Sequence, residues 1–141
     1  MMTHPPNVRT AMTTTAITAA ALVALLTLGL ATAAATDKTT AVSVFAGKPS
    51  ELRFELSKNS VPTGTIRFSV VNKGQIPHDF KICASGKGGS ANACAGSVTK
   101  LLSPGQSETL TYTFKHNGTF EYLCTVPGHA AAGMKGDLKV T

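Results

Sequence analysis

Short segments in which apolar and polar residues alternate dominate this chain after residue 36. The clearest four are ELRFELS at 51–57, TIRFSVVN at 65–72, TLTYTF at 109–114 and TFEYLC at 119–124. Alternation with period two is typical of β-strands that bury one face. Turn residues separate the segments, and Asn117-Gly118 is the strongest hairpin signal. Because no sustained helical period follows the N-terminal segment, the pattern predicts an all-β fold, an antiparallel β-sandwich.

The first 35 residues have the order of a secretory signal peptide. Arg9 supplies a positive charge, the segment from Ala16 to Ala31 contains no charged residue, and small residues follow it. The apolar segment is short against the roughly 20 residues that a membrane-spanning helix needs, so we favour cleavage over retention as a membrane anchor. We therefore expect a signal peptide at 1–35 and an exported domain at 36–141, periplasmic or extracellular, with no membrane span after cleavage.

The charge pattern excludes one class of partner. Residues 36–141 carry 12 Lys and Arg against 7 Asp and Glu, a net charge of +5. The basic residues are spread along the chain, without a basic run and without interleaved aromatic residues. This pattern indicates a mildly basic, solvated surface and no nucleic-acid interface.

The exported domain contains three cysteines. Because an oxidising compartment favours disulfide pairs, two of them are expected to pair, and the third then has no disulfide partner within the chain. Cys83 and Cys94 flank ASGKGGSANA, a segment without any apolar pattern. A disulfide that closes this loop would contribute about 3 kcal/mol by restricting the unfolded chain. We therefore predict a Cys83–Cys94 disulfide, which leaves Cys124 as a free thiol. By strand parity, Cys124 shares a face with Phe120 and Tyr122 and points inward.

Cys124 begins the segment CTVPGHAAAGM, in which Cys124, His129 and Met134 are evenly spaced. A thiolate, an imidazole and a thioether are soft donors, and they match zinc poorly because structural zinc sites do not use Met. Electron-transfer copper sites combine two His and one Cys with a weak axial Met, so one His is missing. His78, which enters a predicted strand in GQIPHDF, is a better candidate than His116, which lies in the KHNG turn.

Two segments, NKGQIPHDF and GTFEYLCTVPGHAAAGMKGDLKV, together resemble the cupredoxins, the small blue copper proteins. The likeness is greatest to plastocyanin-like and azurin-like bacterial members, and it covers nearly all of residues 36–141. It implies a Greek-key β-sandwich that holds a single type 1 copper ion near one end. It also implies that the copper ligands are His78, Cys124, His129 and Met134.

Related copper proteins fit this chain less well. The binuclear centre of cytochrome oxidase subunits needs a second Cys in the ligand loop, and residues 125–133 contain none. A copper nitrite reductase or a multicopper oxidase needs more chain and more His ligands. One departure from the cupredoxin pattern is Asp79, where Asn often ties the ligand loop. An ionised carboxylate only accepts hydrogen bonds, so the tie is expected to differ, and Thr125 is the candidate to share it.

The resemblance implies a one-electron carrier that works between redox partners outside the cytoplasm and is not an enzyme. The alternative is a copper carrier or delivery protein without a redox role, although residues 36–141 contain one Met and no second Cys near Cys124. We expect a monomer. Small apolar residues next to His129 are expected to form a surface patch on which redox protein partners dock: Val126, Pro127, Ala130, Ala131 and Ala132.

Overall fold

Two β-sheets form the fold in the computed structural model, which describes residues 38–84 and 94–141. The described strands are β1 (Thr40–Ala46), β2 (Phe54–Leu56), β3 (Ser60–Val61), β4 (Gly64–Asn72), β5 (Lys81–Cys83), β6 (Gly96–Val98), β7 (Ser107–Phe114), β8 (Gly118–Leu123) and β9 (Lys135–Val140). The predicted all-β fold is confirmed. The signal peptide predicted at 1–35 and most of the loop between Cys83 and Cys94 lie outside the described residues. Within the described ranges no helix is long and apolar enough to span a membrane.

The strand order is β2-β1-β4-β7 in one sheet and β3-β9-β8-β5-β6 in the other. Most neighbouring strands are antiparallel, as predicted, but β1 lies parallel to β4 and β3 lies parallel to β9. Both sheets are therefore mixed. Alternation shows which face of a strand is buried, but it does not reveal the direction of the neighbouring strand, because parallel and antiparallel partners bury the same side chains.

The hydrophobic core lies between the two sheets and follows the alternation of the sequence. In β4 the buried apolar side chains are Ile66, Phe68 and Val70, and in β8 they include Phe120 and Tyr122. Both sheets add further buried members, namely Val42, Val44, Ile82, Phe114, Leu138 and Val140. Full burial of a large apolar side chain contributes about 1.5–3 kcal/mol. Burial of these side chains holds the two sheets together, and the sheets in turn fix the ends of the connecting loops.

The predicted strand ELRFELS is shorter than its alternation suggests. Only Phe54–Leu56 pairs, and its partner is β1. The residues before it form the connection between β1 and β2, which is closed by a hydrogen bond from the Gly47 N–H to the Arg53 carbonyl at 3.0 Å. Glu51 and Arg53 therefore lie on a loop and not on the solvent face of a strand.

Three connections meet at one end of the sandwich. The connection after β1 reaches the connection after β4 through Glu51 and His78, whose nearest polar atoms are 2.9 Å apart. The connection after β4 reaches the one after β8 through Asp79 and Thr125. Each connection starts from a strand fixed in a sheet, so side chains from distant parts of the sequence are brought to one place.

Candidate metal centre

Three side chains with metal-binding atoms converge where the three connections meet. The Nδ1 atoms of His78 and His129 are 3.2 Å apart. The Cys124 Sγ atom lies 3.5 Å from the Nδ1 atom of His129 and 4.0 Å from that of His78. All three atoms are within 4.8 Å of one another. The structure thus brings together two imidazole nitrogens and one sulfur from the residues predicted to be ligands.

Met134, the fourth predicted ligand, lies beside the thiol. It is fully buried and packs with Cys124 and Ala46 in one apolar cluster. Its carbonyl accepts a hydrogen bond from the Cys124 N–H at 3.0 Å, and its own N–H donates to the His129 carbonyl at 2.9 Å. The backbone therefore keeps the thioether close to both neighbouring donors.

The strand ends explain why the thiol and the thioether are neighbours. β8 ends at Leu123, β9 begins at Lys135, and these two residues pair across antiparallel strands. The loop 124–134 therefore starts and ends at neighbouring positions of the β8–β9 pair. The His129 N–H donates to the Val126 carbonyl at 3.0 Å. This turn brings the imidazole back over the thiol.

His78 is fully buried and is fixed at both its backbone and its ring. Its N–H and carbonyl form a two-way bridge with Leu102, at 3.0 and 2.8 Å. Its ring Nε2 lies 2.9 Å from Oε1 of Glu51. Because an ionised carboxylate only accepts, the Nε2 atom donates. In the neutral ring the Nδ1 atom then keeps its lone pair and faces the other two donors, the state in which imidazole binds a metal.

Asn72 organises the connection that carries His78. It is a buried polar residue at the end of β4. Its Nδ2 donates to the carbonyls of Ile76 and Leu102, each at 2.8 Å, and its Oδ1 accepts from the Gly74 N–H at 2.8 Å. These bonds give an irregular segment a fixed path, so His78 cannot shift without breaking some of them.

Asp79 links the segment of His78 to the ligand loop. Its carboxylate accepts hydrogen bonds from the Thr125 N–H, at 2.6 Å, and from the Thr125 hydroxyl. The ligand loop is therefore tied to the segment of His78 although Asp79 stands where Asn is frequent in cupredoxins. The Asp79 carboxylate accepts both bonds and Thr125 donates both.

Arg53 ties the connection after β1 to the ligand loop. Its guanidinium donates to the carbonyls of Ala132, at 2.9 Å, and Leu52, at 2.7 Å. Gly133 follows with φ of +102°, and a Cβ atom there would lie 2.5 Å from the Arg53 guanidinium. Glycine at this position therefore suits both the backbone conformation and the close approach of the guanidinium.

The predicted disulfide between Cys83 and Cys94 is present. It packs with Leu123 and Ala130 in a small buried cluster. Ala130 is only 1% exposed. The prediction that Ala130 belongs to a surface docking patch is therefore wrong, because its side chain faces the disulfide instead of solvent.

The other residues of the predicted patch lie around a half-buried His129. Pro127, Ala131 and Ala132 are exposed. Val126 is half-buried and packs against the apolar cluster beside the thiol. The loop thus presents small, uncharged side chains on its outer side.

His116, the other imidazole considered from the sequence, lies elsewhere. It is exposed in the turn between β7 and β8, and its ring stacks on Phe120 with centroids 5.8 Å apart. The metal-binding group found among the described residues contains His78 and does not contain His116. The geometry therefore agrees with the choice of His78.

Burial controls the ionisation of the donors. It raises the pKa of the Cys124 thiol to about 11. It also lowers the pKa of His129, and the neighbouring His78 adds to that effect. The pKa of Glu51 is lowered, chiefly by its hydrogen bond with His78. At pH 7 the Cys124 thiol and the His129 imidazole are therefore both neutral. A cation that binds Cys124 as a thiolate displaces one proton from it.

Two supporting residues are not foreseen by the sequence. Alternation in ELRFELS predicts Glu51 and Arg53 on the solvent face of a strand, whereas both contact the site. The available signal is the turn pair Pro49-Ser50, which directly precedes them and favours a loop at this position. That signal points to a loop without indicating which partners its charges contact.

The donor set fits copper. Two imidazole nitrogens, one thiol and a neighbouring thioether are the donors of copper sites that transfer electrons. Zinc fits less well, because its structural sites take four Cys or His ligands. The residues present are therefore suited to a copper ion.

Comparisons with known proteins agree with this chemistry. The sequence model of a family described as copper binding proteins, plastocyanin/azurin family, matches residues 40–141. The chain is similar to the copper-resistant cuproprotein CopI of Vibrio cholerae serotype O1, with 28% identity over 103 residues. That alignment covers 66% of this chain and 60% of CopI. The chain thus spans less than two thirds of the length of this relative.

Solved structures share the fold. Dithionite-reduced auracyanin from Roseiflexus castenholzii is 29% identical, with a TM-score of 0.57 over 73% of this chain and 96% of auracyanin. Rusticyanin from Thiobacillus ferrooxidans is 28% identical, with a TM-score of 0.58 over 74% of this chain and 78% of rusticyanin. Both likenesses cover about three quarters of this chain.

Proposed function

This chain belongs to the plastocyanin/azurin family of copper-binding proteins, and on that premise we propose that it carries single electrons between redox partners outside the cytoplasm. Its cofactor is one type 1 copper ion. The observation that carries the proposal is the cluster of His78, Cys124 and His129 beside a buried Met134. Two His, one Cys and a weak Met are the donors of electron-transfer copper.

The ligand roles follow from the donor atoms. We assign the three strong donors to the Cys124 thiolate and to the Nδ1 atoms of His78 and His129. The Met134 thioether would be the fourth and weakest donor. Copper, when bound, supplies a one-electron change between Cu(I) and Cu(II). Such a change makes and breaks no covalent bond in a substrate, so the proposed role is not that of an enzyme.

The hydrogen bonds around the donors favour electron transfer. Leu102 and Glu51 fix His78, and Asp79 holds Thr125 next to the thiol. Donors that are held by their surroundings keep their positions in both oxidation states, so little rearrangement accompanies each electron. Auracyanin and rusticyanin have both been crystallised in reduced form, which supports a redox role for proteins of this fold.

We propose that partners dock on the outer side of the ligand loop. This docking surface consists of His129, Val126, Pro127, Ala131 and Ala132. Weak redox encounters use small interfaces, and an uncharged surface over a ligand ring gives a short path for the electron. The proposed export rests on the features of residues 1–35 and on the disulfide, which is typical of oxidising compartments.

Electron self-exchange between reduced and oxidised copies tests the docking surface without knowledge of the natural partner. Ala131→Glu should slow self-exchange, because each encounter then buries a carboxylate at the surface. Thr119→Glu is the matched control, since it adds the same charge at the exposed start of β8. Equal rates for the two variants would contradict the proposed surface. The expected monomer stays a prediction, which sedimentation of the copper-loaded chain can check.

Copper transport or delivery without electron transfer is the second candidate function. It is favoured by the name of the CopI relatives, copper-resistant cuproproteins. A carrier that exchanges copper needs accessible donors. Here His78, Cys124 and Met134 are fully buried, which favours electron carriage.

The visible spectrum and the voltammogram of the copper-loaded chain distinguish the two functions. An electron carrier should show an intense thiolate-to-copper charge-transfer band and a reversible one-electron wave. Cys124→Ser should abolish the band, whereas His116→Ala, which changes an exposed ring outside the cluster, should leave it intact. A colourless chain that holds only Cu(I) would contradict the proposed electron carriage and favour copper delivery.

A further inference from the structure

A carboxylate is held against the edge of the His78 ring that is opposite its metal-facing nitrogen. The Oε1 atom of Glu51 lies 2.9 Å from the His78 Nε2. The same carboxylate accepts the Gln75 N–H, at 2.9 Å on Oε1 and 3.0 Å on Oε2, and the Ile76 N–H at 3.2 Å. Three donors from one connection therefore fix this carboxylate, although the Glu51 side chain is 35% exposed.

Gly74 provides the space in which carboxylate and ring meet. A Cβ atom at Gly74 would lie 2.3 Å from the Glu51 Oε1 and 3.0 Å from the His78 Nε2. The Gly74 N–H is itself held by the Oδ1 of Asn72 at 2.8 Å. Glycine is therefore required at position 74, because a larger residue there would displace the Glu51 carboxylate from the His78 ring.

An acceptor at this edge has two chemical consequences. Because the carboxylate can only accept, the Nε2 atom carries the ring proton and the Nδ1 atom keeps its lone pair. A carboxylate bonded to a metal-binding imidazole also makes that ring a stronger donor. Both effects act on His78 from outside the set of donor atoms.

The charge of Glu51 has a third consequence. It places a negative charge beside the ring of His78, and a copper ion held by that ring would be favoured as Cu(II) over Cu(I). Other charged groups at this end have different partners, since Asp79 is bonded to Thr125 and Arg53 to the carbonyl of Ala132. Neither therefore substitutes for the carboxylate at the His78 ring.

We propose that Glu51 is a positioning residue of the copper site, which fixes His78 with its Nδ1 atom toward the metal and lowers the reduction potential by its charge. The part that concerns the potential rests on the proposed function, since it requires copper that cycles between two oxidation states. The part that concerns the ring does not, because it depends only on the contact between Glu51 and His78.

Glu51→Gln separates the charge from the hydrogen bond. The amide oxygen can occupy the position of Oε1 and still accept from His78, Gln75 and Ile76, while the negative charge is lost. The reduction potential of the copper-loaded variant should therefore rise above that of the unchanged chain. Glu55→Gln is the matched control, because it removes the same charge from an exposed position on β2. A potential in Glu51→Gln no higher than in Glu55→Gln would overturn the electrostatic role.

The tautomer of His78 tests the positioning role in the metal-free chain. Long-range proton–nitrogen NMR spectra should show the Nε2-protonated ring in the unchanged chain and in Glu51→Gln. In Glu51→Ala the ring loses its acceptor at Nε2, so copper should dissociate to a chelator faster than from Glu51→Gln. An Nδ1-protonated ring in the unchanged chain, or equal dissociation rates from Glu51→Ala and Glu51→Gln, would overturn it.

The two readouts also separate this inference from the proposed function. A chain without a reversible copper wave contradicts electron carriage and, with it, the part of the proposal that concerns the potential. The tautomer of the metal-free ring still decides whether Glu51 positions His78. A reversible wave with unchanged potential in Glu51→Gln contradicts the charge effect of Glu51 and leaves electron carriage supported.

Discussion

Asp79 accepts two hydrogen bonds from Thr125, one from the backbone N–H at 2.6 Å and one from the hydroxyl. Each of the two residues directly follows a proposed copper ligand. Those ligands, His78 and Cys124, are 46 residues apart in the sequence. The pair therefore couples the positions of two donors that the chain itself does not place together.

Removal of this acceptor should destabilise the site. We expect Asp79→Ala to lower the free energy of unfolding by about 1.5–3 kcal/mol, because the Thr125 N–H loses a charged acceptor in a largely buried place. Asp79→Asn should cost less than half as much, since its amide keeps one acceptor oxygen and can donate to the hydroxyl. Urea unfolding of the metal-free variants measures both values. Equal losses would argue that these hydrogen bonds contribute little.

Two glycines of the ligand loop offer a matched pair of substitutions. Gly128 and Gly133 both have positive φ, +86° and +102°, but only a Cβ at Gly133 would approach Arg53, while one at Gly128 would meet nothing within 4 Å. Gly128→Ala should cost about 1–2 kcal/mol from backbone strain alone. Gly133→Ala should cost about 1 kcal/mol more, from the displaced bond between Arg53 and Ala132.

Copper release to a chelator gives the second readout for this pair. Gly133→Ala should lose copper faster than Gly128→Ala, because the guanidinium no longer holds the ligand loop to the connection after β1. Identical stabilities and release rates would contradict a role for the guanidinium.

The disulfide should support both the fold and the site. We expect the double substitution Cys83→Ala/Cys94→Ala to lower the free energy of unfolding by about 3 kcal/mol, because the unfolded chain gains freedom. The visible band should also shift, since the disulfide packs on Leu123 and Ala130, the neighbours of two proposed ligands. A band that is unaffected by the double substitution would contradict the contribution to the site.

Copper binding should tighten as the pH rises. Burial raises the pKa of the Cys124 thiol to about 11, so at neutral pH the metal displaces one proton from it. The apparent association constant for Cu(I) should therefore increase about tenfold per pH unit above pH 7 and level off beyond the thiol pKa. His129 adds no slope there, because its pKa is lowered and its ring is already neutral. Competition with a chelator of known pH dependence measures the profile, and a flat profile would contradict a protonated thiol.

Alternation predicted most of the strands for a simple physical reason. Side chains of a strand face opposite sides in turn, so Ile66, Phe68 and Val70 had to share one face whatever strand lay beside them. The same signal misled at Glu51 and Arg53, because a short loop can carry an alternating pattern by chance. It also left open the parallel pairing of β1 with β4, since the alternation within a strand does not depend on the direction of the neighbouring strand.

Three of the four proposed ligands could be grouped from local sequence alone. Cys124, His129 and Met134 lie within one loop between two adjacent strands, so their proximity requires only a turn. The pairing of Cys83 with Cys94 likewise followed from the sequence, because the two residues flank a segment without any apolar pattern, and the structure confirms the disulfide.

The rest of the site is assembled by contacts between residues that are distant in the sequence. His78, Glu51 and Arg53 reach their partners across 27 to 79 residues of chain. Such contacts exist because packing of the two sheets brings the ends of β1, β4 and β8 to one place. Which charged side chain then faces a ring, a carbonyl or solvent depends on the path of each connection between those fixed ends, and no local pattern encodes that path.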